Sequence, residues 1–258
     1  MKEYPSDLTD KQWELIAPLI PPSKHGGRPR KTSVRLVVEA LFYMSRTGCQ
    51  WRYLPEKYPP RSTVYNYFKS WKEDGTWDHV VNVLREKTRV SHGRNPTPSA
   101  SIIDSQTVKT ADRGRDIGYD GGKKTKGRKR HIAVDVLGLL IGVIVGSAGQ
   151  SDREGAKNLI SKVLAFCHTI QLFWADGGYS GKPLFNWLQT TFNRVLEIVK
   201  RPTKEFKVVQ WRWIVERTFG WLNKYRRLSK DYELLPSSSE AWIKIAMVNI
   251  MIHRLKPG

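Results

Sequence analysis

Two short apolar runs in this chain each carry an aspartate, and that limits the folds open to it. Ser101-Ile102-Ile103-Asp104-Ser105 is interrupted by its acid, and Leu172-Phe173-Trp174-Ala175-Asp176 ends on one, just ahead of Gly177-Gly178. Short apolar runs bounded by turn residues read as buried strands. A carboxylate is almost never fully buried unless something pairs with it. Strands that carry such acids need a cation where the acids emerge. A third acid, Glu216, lies on a helix predicted over about 206–226, one turn after Arg212. There Val208, Trp211, Val215, Phe219 and Leu222 form an apolar stripe, with Arg212 and Glu216 on a neighbouring strip. An ordinary i,i+4 ion pair is the plainer reading of that strip, and the two strand aspartates argue against it.

Charge narrows the partners. The 258 residues hold 44 Lys plus Arg against 24 Asp plus Glu, a formal charge of +20, which attracts polyanions. No apolar stretch approaches the roughly 18 residues of a membrane span, so no membrane partner is expected. The start, Met1 to Asp7, lacks the apolar core of a signal peptide. Cys49 and Cys167 are far apart in no metal-binding spacing and read as reduced thiols, with a single disulfide as the other reading. A cytoplasmic, nucleoid-associated protein is expected. The six histidines form no H-x-x-H or H-E-x-x-H pattern, which argues against a zinc hydrolase. Gly118 to Lys124 fails as a P-loop: the spacing to Gly122 is one residue short, and Lys124 stands where Ser or Thr is required.

The Pro/Gly/Ser-containing stretch over residues 93–99 reads as a linker between a helical region, 1–92, and an α/β region, 100–258. In the first, helices are predicted from Asp7-Leu8-Thr9-Asp10 to Pro21-Pro22, over 33–46 with Gly48 as its stop, over 62–73 and over 76–89. This order fits a helix-turn-helix module, with the 62–73 helix as the candidate for the major groove. Arg61, Ser62, Thr63, Tyr65, Asn66 and Lys69 are its candidate DNA contacts, while Val64, Phe68 and Trp71 face a core. A helical packing domain with a solvated face is the plainer alternative. Arg28 and Arg30, in Gly27-Arg28-Pro29-Arg30, suit a minor groove or an ordinary basic loop.

In the second region strands are predicted over 100–108, 130–136, 139–147, 170–175 and 194–200. Helices are predicted from Ser151, over 181–190, over 206–226 and over 237–254. A strand, a hairpin, then alternating helix and strand make a mixed sheet covered by helices. If the strands of Asp104 and Asp176 pair in parallel, their acids become neighbours, and Glu216 arrives from a helix packed across the sheet. Three carboxylates are hard-oxygen ligands for two divalent ions about 4 Å apart, which activate a nucleophile and stabilise the leaving oxygen of a phosphodiester. Residues 107–131 hold nine Lys or Arg against three Asp and read as a basic loop. Lys123, Lys124, Lys126, Arg128, Lys129 and Arg130 of that loop are candidate contacts to DNA phosphates, with Arg212 beside them. Asp135 reads as a hairpin-turn residue and Asp152 as a helix cap. The ten tryptophans read as core packing rather than base stacking.

Four segments carry a resemblance: Ile103-Asp104-Ser105-Gln106, Gly127 to Asp135, Ala175-Asp176-Gly177-Gly178-Tyr179 and Val215-Glu216-Arg217-Thr218-Phe219-Gly220-Trp221-Leu222. With Trp51-Arg52-Tyr53-Leu54-Pro55 and Arg61-Ser62-Thr63-Val64-Tyr65, they resemble the IS5-type insertion-sequence transposases of the IS4/IS5 DDE group. The resemblance covers nearly the whole chain. It implies a ribonuclease-H-like core with a catalytic, metal-holding triad at Asp104, Asp176 and Glu216. It further implies two Mg²⁺ ions (Mn²⁺ substituting), double-stranded DNA with terminal inverted repeats and target DNA as partners, and a homodimer when ends are joined. Arg212 and Glu216 match the Tyr-Arg-Glu-Lys signature of related transposases, whereas Val209 and Asn223 stand at its Tyr and Lys positions. The expected activity is Mg-dependent cutting of element ends and joining of the freed 3′-OH to target DNA. The alternatives are a metal-dependent endonuclease of the same fold, a DNA-binding regulator with an inactive catalytic domain, and a basic scaffold.

Overall fold

Local signals explain several of the helix ends in the computed structural model, which describes residues 3–23, 30–111, 114–199 and 210–255. Helix α1 (Asp10–Ile16) starts at a capping box in which the Thr9 and Gln12 side chains each bond the other's backbone N–H. Helix α2 (Val34–Thr47) is capped by Ser33 and stops at Gly48, whose φ of 72° is the left-handed turn that glycine adopts most readily. Helix α3 (Arg61–Glu73) and helix α4 (Thr76–Ser91) follow, separated by Asp74 and Gly75. Val64, Phe68 and Trp71 are buried on α3, as the helical spacing predicts.

The second region is a six-stranded mixed sheet. Strand β1 (Ala100–Lys109) lies at its centre, antiparallel to β3 (Thr125–Val134) and parallel to β5 (Leu172–Ala175). Strand β4 (Leu140–Ser147) pairs with β3, β2 (Gly118–Asp120) pairs with the start of β3, and β6 (Val195–Ile198) is parallel to β5. Helices α5 (Asp152–Leu164), α6 (Lys182–Phe192), α7 (Gln210–Asn223) and α8 (Pro236–Leu255) complete the chain. This is the mixed α/β sheet with flanking helices, preceded by an all-helical region, that the sequence predicts.

Helical region and sheet share one hydrophobic core. It runs from Leu8 through Phe42, Phe68 and Trp77 to Val143 of β4 and Trp242 of α8. Trp242, fully buried, stacks on Phe68 at 4.8 Å and lies 6.0 Å from Trp51, so α8 serves as a core element for both parts. Asp135 adds a polar tie. Its Oδ1 accepts the backbone N–H groups of Leu137 and Leu139 and so shapes the β3–β4 hairpin, while Oδ2 receives Arg89 of α4 at 2.6 Å. The hairpin-turn reading of Asp135 holds, with this buried ion pair added.

The basic stretch differs from its sequence reading. Strand β1 runs on to Lys109 and β3 begins at Thr125, so much of the expected loop is sheet. Arg128, Lys129 and Arg130 lie on β3 and are buried. Arg128 pairs with Asp231 at 3.2 Å and donates to the carbonyls of Arg115, Glu233 and Leu234. Arg130 donates to the carbonyls of Leu228 and Lys230. Lys129 donates to the Gln150 carbonyl and faces Asp152 at 3.2 Å. A cation enclosed this way satisfies backbone acceptors, and at Arg128 a buried acid as well, and it is unavailable to a DNA phosphate. These three residues are structural cations.

Two stability measurements follow. Trp242→Ala is expected to cost about 3–5 kcal/mol, with the helical and sheet signals lost in one coincident denaturant transition; separate transitions would contradict the shared core. Arg128→Gln is expected to cost about 3–5 kcal/mol by leaving Asp231 buried without its partner, whereas Lys126→Gln, at an exposed position, leaves the midpoint within about 0.5 kcal/mol.

Candidate active site

The parallel pairing of β1 with β5 brings the two strand aspartates together. Ala100 pairs with Leu172 and Ile102 with Trp174, an offset of 72 residues. Carried two residues further, the same offset sets Asp104 opposite Asp176. Asp176 caps a single turn, Gly177–Tyr179, with Oδ1 accepting the Gly178 N–H at 2.8 Å. Asp104 Oδ1 accepts the Ser105 N–H at 2.7 Å. Both acids line one small cavity of about 10 Å³, together with Arg212 and Val215. That is roughly the room of a single water.

Helix α7 delivers the third acid. Val215, Phe219 and Leu222 are buried, as the apolar stripe predicts, and α7 packs on β1; Val208 and Val209 lie outside the described residues. Trp211 stacks on Trp174 of β5 at 4.2 Å with an interplanar angle of 4°. This contact pins the start of α7 beside Asp176, since Trp174 stands two residues before that acid and Trp211 one before Arg212. The Arg212 guanidinium lies 3.8 Å from Asp176 Oδ2 and 3.5 Å from Glu216 Oε1. Glu216 therefore joins the aspartates through Arg212. Among the described residues no three His, Cys, Asp or Glu side chains are gathered closely enough to enclose a metal ion.

The electrostatics single out Asp104. Burial pushes its pKa up to about 7, the Asp176 charge adds to the rise, and the Ser105 N–H, Lys123 and Arg212 oppose it. Lys123 reaches over β1 to the Ser105 carbonyl at 3.4 Å, which puts one cation of the predicted basic set beside the site. Lys124 and Lys126 are exposed nearby on the turn between β2 and β3 and on the start of β3. On α3, Arg61, Ser62, Tyr65, Asn66 and Lys69 are exposed and Thr63 is half-buried. Arg30 donates to the carbonyls of Pro21 and Pro22, and Arg28 lies outside the described residues.

Two neighbours of the site escaped the sequence reading. Asp152 is not the cap of α5, because Ser151 fills that role by accepting the Glu154 N–H. Asp152 sits at the first helical position instead and accepts the Ser105 hydroxyl at 2.8 Å. Its Oδ2 also comes within 3.6 Å of the place a Cβ would take at Gly178, on the Asp176 turn. Tyr179 is buried, and burial together with the charges of Asp104, Asp152 and Asp176 holds its phenol well above the usual range, so it stays neutral. The Gly177-Gly178-Tyr179 segment was visible as a motif, but nothing local shows that its tyrosine turns inward among three acids.

The raised Asp104 pKa carries a sign for stability. The folded carboxyl holds its proton up to about pH 7, whereas the ordinary value of an aspartate is 3.8, so the cost of its charge is absent at low pH and grows until pH passes 7. In chelator, Asp104→Asn is expected to raise folding stability at pH 8 by up to about 4 kcal/mol, with most of the gain gone by pH 4. A gain equal at both pH values would show that the buried charge is not its cause.

Comparison with known proteins agrees with this geometry. Residues 95–251 match the family model "Transposase DDE domain", and residues 8–81 match "Putative transposase of IS4/5 family". Three relatives add to this. An uncharacterized protein, y4sN, of Sinorhizobium fredii is 38% identical over 77 residues, 30% of this chain and 62% of its own length. The "Insertion element IS402 uncharacterized 16.2 kDa protein" of Burkholderia cepacia is 27% identical over 121 residues, 43% of this chain and 78% of its own. The "Putative transposase for insertion sequence element IS402", also of Burkholderia cepacia, is 29% identical over 140 residues, 50% of this chain and 65% of its own. The chain thus spans less than two thirds of the first of these relatives.

Proposed function

This chain belongs to the DDE-domain transposases of the IS4/5 type, and we propose that it cuts the ends of an insertion sequence and joins them to target DNA through Asp104, Asp176 and Glu216. The observation that carries the reading is the β1–β5 register, which sets two carboxylates side by side with a third one helix away. The donor set fits a hard divalent cation. It is all oxygen, and Asp104 is kept partly protonated near neutral pH by burial and by the nearby charge of Asp176. Magnesium, or manganese in its place, supplies a nucleophile at neutral pH and stabilises the leaving oxygen when two ions are held there.

The chain's own residues do the rest. Asp104 and Asp176 are fixed by the sheet and by backbone N–H groups, so their carboxylates need little rearrangement. Glu216 is half-exposed and tied to Arg212 by one long contact, so it can turn toward the aspartates. Arg212 then becomes available to a backbone phosphate of the bound strand. Lys123, Lys124 and Lys126 border the same edge of the sheet and hold neighbouring phosphates. The exposed face of α3, from Arg61 to Lys69, reads the terminal repeats. Joining two ends calls for two copies, hence a homodimer on DNA. Among the described residues no helix is long and apolar enough to cross a membrane.

The test uses duplexes carrying the flanking element ends, incubated with purified chain and Mg²⁺. Nicks at the end and joined products are expected. Asp104→Asn, Asp176→Asn or Glu216→Gln lowers cleavage by at least about 10³-fold while end binding in chelator stays within about threefold. If all three variants still cut, the assignment of the triad is wrong. Cutting without joining on paired ends would favour an endonuclease of the same fold.

A further inference from the structure

One side chain stands against both backbone segments that aim the aspartates of the site. Asp104 Oδ1 accepts the Ser105 N–H, and Asp176 Oδ1 accepts the Gly178 N–H. Asp152, on the first turn of α5, reaches both of the residues that donate. Its Oδ1 accepts the Ser105 hydroxyl at 2.8 Å. Its Oδ2 lies 3.6 Å from the place a Cβ would take at Gly178. Successive side chains of a strand point to opposite faces, so Asp152 meets Ser105 on the face of β1 away from Asp104. It stands behind the two aspartates rather than beside them. Lys129, 3.2 Å from the same Oδ1, compensates its charge and is itself fixed by the Gln150 carbonyl.

Packing holds Asp152 in that position. Gly155, three residues further along α5, has no side chain, and a Cβ there would lie 2.2 Å from the ring of the fully buried His131. His131 is paired with Ser105 across β1 and β3. The helix thus rests on the strand neighbour of Ser105, at a distance that only glycine permits. That close approach lets a side chain as short as aspartate reach the Ser105 hydroxyl. The Asp176 turn is held under the same helix. Tyr179, next after Gly178, is buried in one apolar cluster with Ala156, Leu159 and Leu184. Strand β1, helix α5 and the Asp176 turn therefore meet at Asp152.

Groups that orient the partners of a metal-holding side chain set how tightly the metal is bound, typically by about 10–100-fold in affinity. We propose that Asp152 is a positioning residue: by holding Ser105 and the Gly178 turn it fixes two N–H donors, and so sets the separation of the Asp104 and Asp176 carboxylates. The cation that those carboxylates bind rests on the function proposed above; the hold on their N–H donors does not. An ordinary acid at a helix start would act through the helix dipole instead. Glu154, exposed in the same first turn, supplies that comparison.

Two measurements on the full chain test this role. The first needs no metal and follows amide hydrogen exchange by NMR in chelator. In Asp152→Ala the Ser105 and Gly178 amides are expected to exchange about tenfold faster, while the Ile103 amide, two residues back on β1, keeps its rate. The second follows Mn²⁺ binding by water-proton relaxation. Asp152→Ala is expected to weaken it about tenfold. Ser105→Ala weakens it too, and the double variant binds no more weakly than Asp152→Ala alone, because the two side chains act in series. Asp152→Asn keeps an oxygen for the Ser105 hydroxyl and stays within about threefold of the unaltered chain. Glu154→Ala leaves both readings unchanged. Thermal melts confirm that each variant is folded, and Ser105→Ala carries the comparison if Asp152→Ala does not fold. Unaltered exchange at Ser105 and Gly178 in Asp152→Ala, or the same changes in Glu154→Ala, overturns the proposal. So does Mn²⁺ binding that Asp104→Asn abolishes and Asp152→Ala leaves alone. Mn²⁺ binding that survives Asp104→Asn sinks the proposed function instead, and the exchange rates still decide the role of Asp152.

Discussion

Strands β1 and β5 are hydrogen-bonded in parallel at an offset of 72 residues, and the candidate site depends on that register. A slip of one residue would turn Asp104 to the opposite face of the sheet. The slip is opposed on both sides. The face carrying Ile103, Ala133 and Phe173 is buried under α5 and α6, and the other face carries Ile102, Ile132 and Val134 into the core shared with the helical region. Two apolar faces of different partners leave the strand no alternative position. The acids are thus placed by hydrophobic burial, and their mutual repulsion is tolerated because the surrounding core is large.

Coupling between the two regions comes from the same burial. Helix α8 supplies Trp242 to the aromatic group of Trp51 and Phe68 and packs on β4 and on α4. Arg89 reaches from α4 to the buried Asp135 of the hairpin. Removing one member of such a pair leaves a buried charge, which is why these contacts act as fixed joints rather than as hinges. The exposed face of α3 therefore keeps a set position relative to the acids, so that DNA held there, as proposed, would present its phosphates to them in a defined place.

Strand and helix periods were legible because each element buries one regular face. The spacing of Val64, Phe68 and Trp71 located α3, the Asp7-Leu8-Thr9-Asp10 segment marked the start of α1 and Gly48 the end of α2, and the apolar runs located β1 and β5. The three acids were legible from their settings, two in apolar runs and one beside an apolar stripe. Arg128, Lys129 and Arg130 were not, because a run of cations reads as solvated until its partners are known. Those partners are Asp231, Asp152 and carbonyls 13 to 106 residues away. Asp152 and Tyr179 were hidden for the same reason: what makes them neighbours of the site is the packing of α5 and of the Asp176 turn against β1, which no local pattern records.

Arg212 shows how magnitudes decide what the site can do. Its contact to Glu216 is 3.5 Å long and the acid is half-exposed, a pair worth about 0.2–0.5 kcal/mol. Its approach to Asp176 is longer still, at 3.8 Å. Against this stands the half-buried Asp104 carboxyl, whose pKa is pushed up to about 7 by burial first and by Asp176 second. Each unit of such a rise corresponds to about 1.4 kcal/mol, so the charge missing at the aspartates outweighs the bond that holds Glu216 aside. Under the proposed function, a small cation with oxygen preference would gain more at the aspartates than the Arg212–Glu216 pair would lose by opening. On that reading the guanidinium would be a weakly held placeholder among the acids, with the stacked Trp174–Trp211 pair holding the start of its helix in place.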